Sequence, residues 1–163
     1  MATYCIFSAL YLPHMGGVER FTDSLARELS SMGHSVSIVT SKIDDSPALE
    51  AVDENITIYR LDSLSLMDGR LPIYHPSTHN RNVLSGLARV HFDGVLINTR
   101  FYPLSLVGLA FACKCGAPAV VLDHGSAYLT FGNRVLDMIE HVYEHAITLV
   151  EKLFHPDFYG ISE

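Results

Sequence analysis

The chain has 163 residues, of which 48% are hydrophobic and 18% are charged. This composition is typical of a single globular domain and excludes a disordered chain. The formal net charge of −7 and the eleven scattered Lys and Arg residues argue against nucleic acid as the main partner. Because the N-terminus has no charged leader and no apolar run approaches about eighteen residues, we expect a cytoplasmic protein. Peripheral attachment at the inner face of the membrane remains open for the intact protein.

The cysteines and histidines do not form a metal motif. Cys5, Cys113 and Cys115 are an odd set without a second spaced pair, which argues against a disulfide framework and against structural zinc. We expect reduced, buried thiols. His141 and His145 share a helical face but have no third ligand nearby in sequence. We therefore predict no metal and no cofactor.

The first forty residues predict a β–loop–α–β unit. An apolar run at 3–8 is typical of a strand, and residues 18–32 carry apolar side chains at helical spacing. Gly33 is expected to end this helix, and residues 35–40 read as the next strand. The loop between the first strand and the helix is not G-x-G-x-x-G, so it does not support a dinucleotide fingerprint.

Gly16 and Gly17 lie where the first strand turns into the helix. The first N–H groups of a helix have no intrahelical partner, and glycine lets the backbone approach a ligand closely. This corner therefore suits an anion such as phosphate. The alternative is that the two glycines only make the turn or supply a positive φ. Glu19 is interpreted as a helix-start residue that complements the helix dipole, with substrate contact as the minority alternative.

The N-terminal motif resembles the start of a family 4 retaining glycosyltransferase. The residues that carry the resemblance are Pro13-x-x-Gly16-Gly17-x-Glu19, then Leu25-Ala26-x-x-Leu29, then Gly33-His34-x-Val36-x-Ile38-x-Thr40. The resemblance is sharp over residues 3–41 and again over 119–126. It implies the GT-B fold, in which two Rossmann-like domains face each other across a cleft. It also implies a hexosyl transfer from a UDP- or GDP-sugar to a glycan, lipid or small-molecule acceptor, without a metal.

The remainder of the chain alternates strand and helix patterns. Strands are predicted at 56–61, 95–97, 119–122 and 158–162, and helices around 83–91, 103–116 and 132–154. This alternation predicts a fold of the α/β class with a Rossmann-like, doubly wound parallel sheet. Residues 62–78 have no clear period and read as a long connection. Their apolar side chains either pack against the domain or contact an apolar acceptor.

Three polar clusters follow predicted strands. Because ligands bind outside the carboxyl ends of parallel strands, we expect these clusters to form one site. His124 is the candidate catalytic residue, since its imidazole can hydrogen-bond a sugar hydroxyl or a phosphate oxygen near neutral pH. A purely structural role for His124 is the alternative. The candidate residues for binding donor phosphate or acceptor are Gly16, Gly17, Asn98, Arg100, Gly125 and Ser126.

Two neighbouring charges have ordinary explanations as well. Arg100 either pairs with a phosphate or carboxylate of the ligand or is simply an exposed loop cation. Asp123 is a candidate for orienting His124, although adjacent side chains on a strand point to opposite faces.

The sequence has no glutamate pair of the kind found in the nucleotide-sugar site of the family that it resembles. Family 4 transferases carry the nucleotide-sugar site mainly in a C-terminal domain, with two glutamates that have seven residues between them, and no such pair occurs here. We therefore expect residues 1–163 to be the N-terminal, acceptor-side domain, with the C-terminal domain as its missing partner, and to be inactive alone. The alternative is a complete, non-catalytic Rossmann-like module that binds a phosphorylated metabolite or a protein. A sugar-nucleotide epimerase would need acid and base carboxylates that the sequence does not place.

Overall fold

A computed structural model describes residues 1–66, 69–100, 102–124, 147, 149–150, 152, 154 and 156–160. The strands are β1 (Thr3–Ser8), β2 (Ser35–Lys42), β3 (Leu49–Ala51), β4 (Ile56–Leu66), β5 (Leu71–Tyr74), β6 (Gly94–Asn98), β7 (Ala119–Asp123) and β8 (Asp157–Gly160). Within the described residues, the structure defines the helices α1 (Gly17–Ser31), α2 (Thr78–Leu87) and α3 (Pro103–Cys115).

The sheet is mostly parallel and follows the order β3-β4-β2-β1-β6-β7-β8. Strand β1 lies at its centre and pairs in parallel with both β2 and β6, and the outer pairs β2–β4, β6–β7 and β7–β8 are also parallel. Strands β3 and β5 both pair with β4 in the antiparallel sense. The predicted Rossmann-like parallel sheet is therefore confirmed, with two short antiparallel strands added at one side.

The two faces of the sheet bury separate apolar clusters. Alternate side chains of β1 divide between them, with Ile6 on the α1 face and Cys5 and Phe7 on the opposite face. Helix α1 covers the first cluster, while α2 and α3 cover the second. Helices on both faces explain why the central strands read as continuous apolar runs, and they confirm the doubly wound arrangement.

Glycines end two of the helices as predicted. Gly33 follows α1 with φ of +79°, and Gly116 caps α3 with φ of +65°. Glycine adopts this left-handed conformation without the steric penalty that a Cβ brings, so both positions stop a helix sharply and start the return to a strand.

Residues 62–78 are more regular than predicted. Strand β4 continues to Leu66, and its last four residues pair with β5 to form a hairpin. The expectation of a connection without regular structure is wrong here, because antiparallel pairing satisfies the backbone of both segments. Strand β2 ends at Lys42, opposite Asp62, so residues 63–66 extend beyond the carboxyl edge of the parallel sheet.

A buried asparagine fixes the base of this hairpin. Asn80, in the first turn of α2, is 0% exposed. Its Oδ1 accepts a hydrogen bond from the Asp62 N–H at 2.7 Å, and its Nδ2 donates to the carbonyls of Asp62 and His75 at 2.9 and 2.7 Å. Ser77 caps the same helix and donates to the Asp62 carboxylate at 2.6 Å. The hairpin is thus joined to α2 at a defined point.

Part of the C-terminal prediction lies outside the described residues. Most of the predicted helix at 132–154 lies outside the described residues, and positions 147, 149, 150 and 152 are helical. Strand β8 begins one residue before the predicted 158. Among the described residues no helix has the length and apolar character needed to cross a bilayer. All three cysteines are free, but Cys113 is exposed on α3, so the expectation of buried thiols holds for Cys5 and is wrong for Cys113.

Candidate active site

The glycine corner between β1 and α1 opens the candidate site. Gly16 is the N-cap of α1, with φ of −122°, and Gly17 is the first helical residue. Neither glycine has a positive φ, so that explanation of the pair is excluded. A Cβ on Gly16 would collide with the Glu19 carboxylate, whereas a Cβ on Gly17 would meet nothing within 4 Å. Gly16 therefore makes room for Glu19, and the space beside Gly17, where a Cβ would lie, is open.

Glu19 is a buried carboxylate at this corner. It is 5% exposed, and its Oε1 lies 3.3 Å from Nδ1 of His14. Its position in the first turn of α1 places its charge at the positive end of the helix dipole. Burial, and then the nearby charge of Glu19, raise the pKa of the Tyr102 phenol at the start of α3. The β1–α1 and β6–α3 corners are therefore electrostatic neighbours.

A buried polar chain connects α1 to His124. The imidazole Nε2 is hydrogen-bonded to Oδ1 of Asn98, and Nδ2 of Asn98 donates to Oγ1 of Thr22. Asn98 ends β6 and is 1% exposed, while Thr22 lies on α1 and is 0% exposed. The sequence predicted Asn98 and His124 as site residues, and the fold brings the two side chains into contact.

Of the three hydrogen-bonded residues Thr22, Asn98 and His124, only Thr22 was not predicted from the sequence. It lies one helical turn after Val18, within the apolar stripe of α1, where a buried hydroxyl needs a partner. Its hydroxyl donates to the Val18 carbonyl at 2.8 Å, and Ser8 Oγ lies 3.4 Å away. A lone polar side chain in an apolar stripe is the signal that could have found it.

The His124 ring is partly enclosed by α1. The ring centroids of Phe21 and His124 are 4.8 Å apart, with the planes at 75°. Burial lowers the pKa of His124 from its ordinary value of 6.5, and the negative charge of Asp123 opposes this change only in part. The imidazole is therefore predominantly neutral at pH about 7.

Arg100 and Asp123 form an ion pair at the same sheet edge. Nε of Arg100 lies 3.4 Å from Oδ2 of Asp123, and each side chain is 30% exposed. Asp123 is therefore engaged with Arg100, which leaves the orientation of His124 to Asn98. The two charges together give this edge one half-buried cation beside one half-buried anion.

The segment between Asn98 and Arg100 adopts a strained conformation. Thr99 has φ of +70°, which is uncommon for a β-branched residue and costs about 1–3 kcal/mol. Its N–H donates to the Leu122 carbonyl at 3.0 Å, and its own carbonyl accepts from Oγ of Ser105 at 2.6 Å. Strand β7 and helix α3 thus hold this turn, which sets where Asn98 and Arg100 leave the sheet.

Gly125 and Ser126 lie outside the described residues, so their predicted site roles stay predictions. Over the part of the chain that is described, no group of three or more His, Cys, Asp or Glu side chains is placed to hold a metal ion.

A cavity of about 470 Å³ opens on the other side of the glycine loop. Its walls are Tyr11, Leu12, Pro13, Asp23, Arg27, Ser46, Pro47, Glu50, Val52, Ile58 and Arg60. The buried Arg60 guanidinium donates to the carbonyls of Leu12 and Pro47, each at 3.0 Å, and to Glu50 at 2.8 Å. Arg60 therefore ties the start of the glycine loop to β3 and β4. Sequence reasoning missed this cavity because its walls come from segments far apart in the chain.

The fold and site together define a Rossmann-like α/β domain with a glycine corner and a histidine at the carboxyl edge of its parallel sheet. Residues 15–157 match the family model described as Glycosyltransferase Family 4. The chain therefore belongs to glycosyltransferase family 4, as the resemblance predicted. It is also similar to the uncharacterized glycosyltransferase MJ1069 of Methanocaldococcus jannaschii, with 25% identity over 148 residues. That match covers 87% of this chain but only 37% of the relative.

Proposed function

We propose that this chain is the acceptor-binding half of a retaining glycosyltransferase. The reaction moves a hexosyl group from a nucleotide-diphosphate sugar to an acceptor hydroxyl. The observation that carries the proposal is the contact of α1 with His124 through Phe21 and the Thr22–Asn98 pair. This contact joins the glycine corner of β1 to the end of β7 in a chain that belongs to a transferase family.

The glycine corner is proposed to face the donor diphosphate or the acceptor. The space in front of Gly17 is open, and the N-terminus of α1 carries the positive end of a helix dipole. Such a terminus stabilises negative charge, and a departing nucleoside diphosphate gains charge as its bond to the sugar breaks. Arg100 is proposed to add a cation at the same edge, with Gly125 and Ser126 supplying backbone and hydroxyl contacts.

His124 is proposed to touch the reacting sugar. A neutral imidazole can accept a hydrogen bond from a hydroxyl and thereby orient the sugar ring. Orientation of this kind lowers the barrier because the reacting atoms are held in place before the bond changes.

A second domain is proposed to bind the nucleotide. The chain spans 37% of the length of its relative, which leaves room for a further domain in a protein of that size. In this proposal a C-terminal domain supplies the paired glutamates and the UDP or GDP site. The 163-residue chain alone then lacks half of the reaction centre and is expected to be inactive.

The acceptor pocket is proposed to include residues 62–78 and 98–102. The β4–β5 hairpin projects from the carboxyl edge of the sheet, on the side where β4 passes the end of β2. Leu64 and Leu66 are two residues apart on β4, so their side chains lie on the same face of the strand. They are 57% and 49% exposed. These two side chains supply an apolar surface that suits an acceptor with an apolar portion, such as a lipid.

The test is turnover of UDP- and GDP-sugars by the full-length protein that contains this chain. We expect release of a nucleoside diphosphate and loss of most of this turnover in His124→Ala. His91→Ala is the matched control, because the His91 side chain is 90% exposed and precedes β6, at the end of that strand opposite Asn98. Tight binding of a phosphorylated metabolite without any sugar transfer would instead favour a non-catalytic binding module.

A further inference from the structure

We propose that Thr22 and Asn98 are positioning residues that hold His124 in the tautomer with its proton on Nε2. Nδ1 is then the nitrogen presented to the substrate, where it accepts a hydrogen bond from a hydroxyl. The identity of that substrate as a sugar rests on the proposed function, but the tautomer follows from contacts within this chain.

The direction of the hydrogen bonds is set first at Thr22. Its hydroxyl has a single hydrogen, which is donated to the Val18 carbonyl at 2.8 Å. The other acceptor within reach, Oγ of Ser8 at 3.4 Å, would also draw this hydrogen away from Asn98. The Ser8 hydroxyl cannot reverse the bond, because its own hydrogen is donated to the Leu10 carbonyl at 2.8 Å. Thr22 therefore offers Asn98 a lone pair.

The carboxamide of Asn98 passes this direction on to His124. A lone pair on Thr22 selects the NH₂ group of Asn98 as the donor, so Oδ1 faces the imidazole. Oδ1 can only accept, and the nitrogen that meets it must carry a hydrogen. That nitrogen is Nε2, so in the neutral ring Nδ1 carries the lone pair.

The opposite arrangement breaks the hydrogen bond from Thr22 to the Val18 carbonyl. If the Asn98 amide were reversed, its oxygen would meet the Thr22 oxygen, which would have to abandon the Val18 carbonyl. Both Thr22 and Asn98 are at most 1% exposed, so water cannot replace the lost hydrogen bond. The buried pair therefore favours the tautomer with its proton on Nε2.

The nitrogen left for a ligand acts as an acceptor. Among the described residues, Nδ1 of His124 has no hydrogen-bond partner, and Asp123 is the charged side chain that acts on the ring. Burial keeps the imidazole neutral by lowering its pKa. The ring thus recognises a donor group, such as a sugar hydroxyl, rather than a phosphate oxygen.

The test is nitrogen NMR of the full-length protein labelled with ¹⁵N-histidine, with His124→Gln used to assign the signal. Multiple-bond spectra separate a protonated ring nitrogen from one that carries a lone pair. At a pH about one unit above the ordinary His value, we expect His124 to show a protonated Nε2 and a bare Nδ1. A protonated Nδ1 in the wild-type protein would overturn the proposal.

Three variants separate positioning from packing. Thr22→Val keeps the shape of the side chain without its hydroxyl and is expected to mix the two tautomers, while Thr22→Ser restores the wild-type spectrum. Asn98→Asp is expected to keep the proton on Nε2 and to move the titration of His124 to higher pH, because a carboxylate stabilises the imidazolium. An unchanged tautomer in Thr22→Val would contradict the role of Thr22. If Thr22→Val fails to fold, the wild-type spectrum and Asn98→Asp still decide the proposal.

These spectra do not depend on catalysis. A protein with the expected tautomer but no sugar transfer would refute the proposed function alone. A protein that transfers sugar but carries its proton on Nδ1 would refute the positioning role alone.

Discussion

The ring of Phe21 meets the imidazole of His124 nearly edge to face, with centroids 4.8 Å apart and planes at 75°. Phe21 lies in the second turn of α1, and His124 directly follows β7, so this contact spans the sheet from β1 across β6 to β7. It covers one side of the imidazole with an apolar ring. The titration of His124 and its proposed function both depend on this enclosure.

The first prediction concerns the pH dependence of stability. The pKa of His124 is lower in the folded protein than its ordinary value of 6.5, so the unfolded chain binds more protons in that range. The contribution of His124 is therefore fully present above pH 6.5 and is lost as the pH falls toward the folded pKa. We expect the free energy of unfolding, measured by urea titration, to decrease as the pH is lowered from about 7.5 to about 5.5.

His124→Gln should reduce this pH-dependent fall. The same fall in wild type and His124→Gln would show that other groups produce it.

The second prediction contrasts two glycines. Gly17→Ala should fold with a thermal stability equal to or above wild type, because its new Cβ meets nothing within 4 Å. It should nevertheless raise KM for the sugar nucleotide, since the methyl group enters the space proposed for the ligand. Gly33→Ala should lose about 1–2 kcal/mol of stability, because φ there is +79°, and should leave KM unchanged. Full affinity in Gly17→Ala would remove this glycine from the binding site.

The third prediction tests the packing of α3 against the sheet. A Cβ on Gly108 would lie 2.8 Å from Cγ of Phe7 and 3.0 Å from Cγ1 of Ile97. Gly108→Ala should therefore destabilise the protein by about 1–3 kcal/mol in urea unfolding. Gly86→Ala on α2 should instead stabilise it by about 0.5–1 kcal/mol, since that position faces open space. Equal effects of the two changes would contradict the close approach of α3.

The fourth prediction addresses the β4–β5 hairpin. Replacing the exposed Leu64 and Leu66 together by Ser should raise KM for an acceptor with an apolar portion and leave KM for the donor unchanged. Val90→Ser is the control, because Val90 is 43% exposed and precedes β6 at the opposite edge of the sheet. An unchanged acceptor KM in the double variant would exclude this apolar surface from the acceptor pocket.

The strands and helices with regular apolar patterns were predictable from the sequence. Apolar periodicity predicted β1, α1 and β6. The glycine after the apolar stripe predicted the end of α1 at Gly33, and α3 was expected to end near Gly116. Because ligands bind at the carboxyl ends of parallel strands, the sequence also predicted that Asn98 and His124 lie at one edge of the sheet.

Other features depend on contacts between distant segments. Residues 62–78 form a hairpin because β4 finds its partner across a turn, and alternation in so short a segment, interrupted by Pro72, was too weak to predict it. In the sequence, Thr22 only interrupts an apolar stripe. Its role is evident from the hydrogen bond that it accepts from Asn98 of β6. The ion pair of Arg100 with Asp123 likewise needs the adjacency of β6 and β7.

The role of His124 in sugar transfer is tested by release of a nucleoside diphosphate from UDP- and GDP-sugars by the full-length protein, with and without candidate acceptors. We expect acceptor-dependent release that His124→Ala largely abolishes and His91→Ala leaves intact. Release that is equally fast in His124→Ala, or no transfer from any sugar nucleotide, would contradict it.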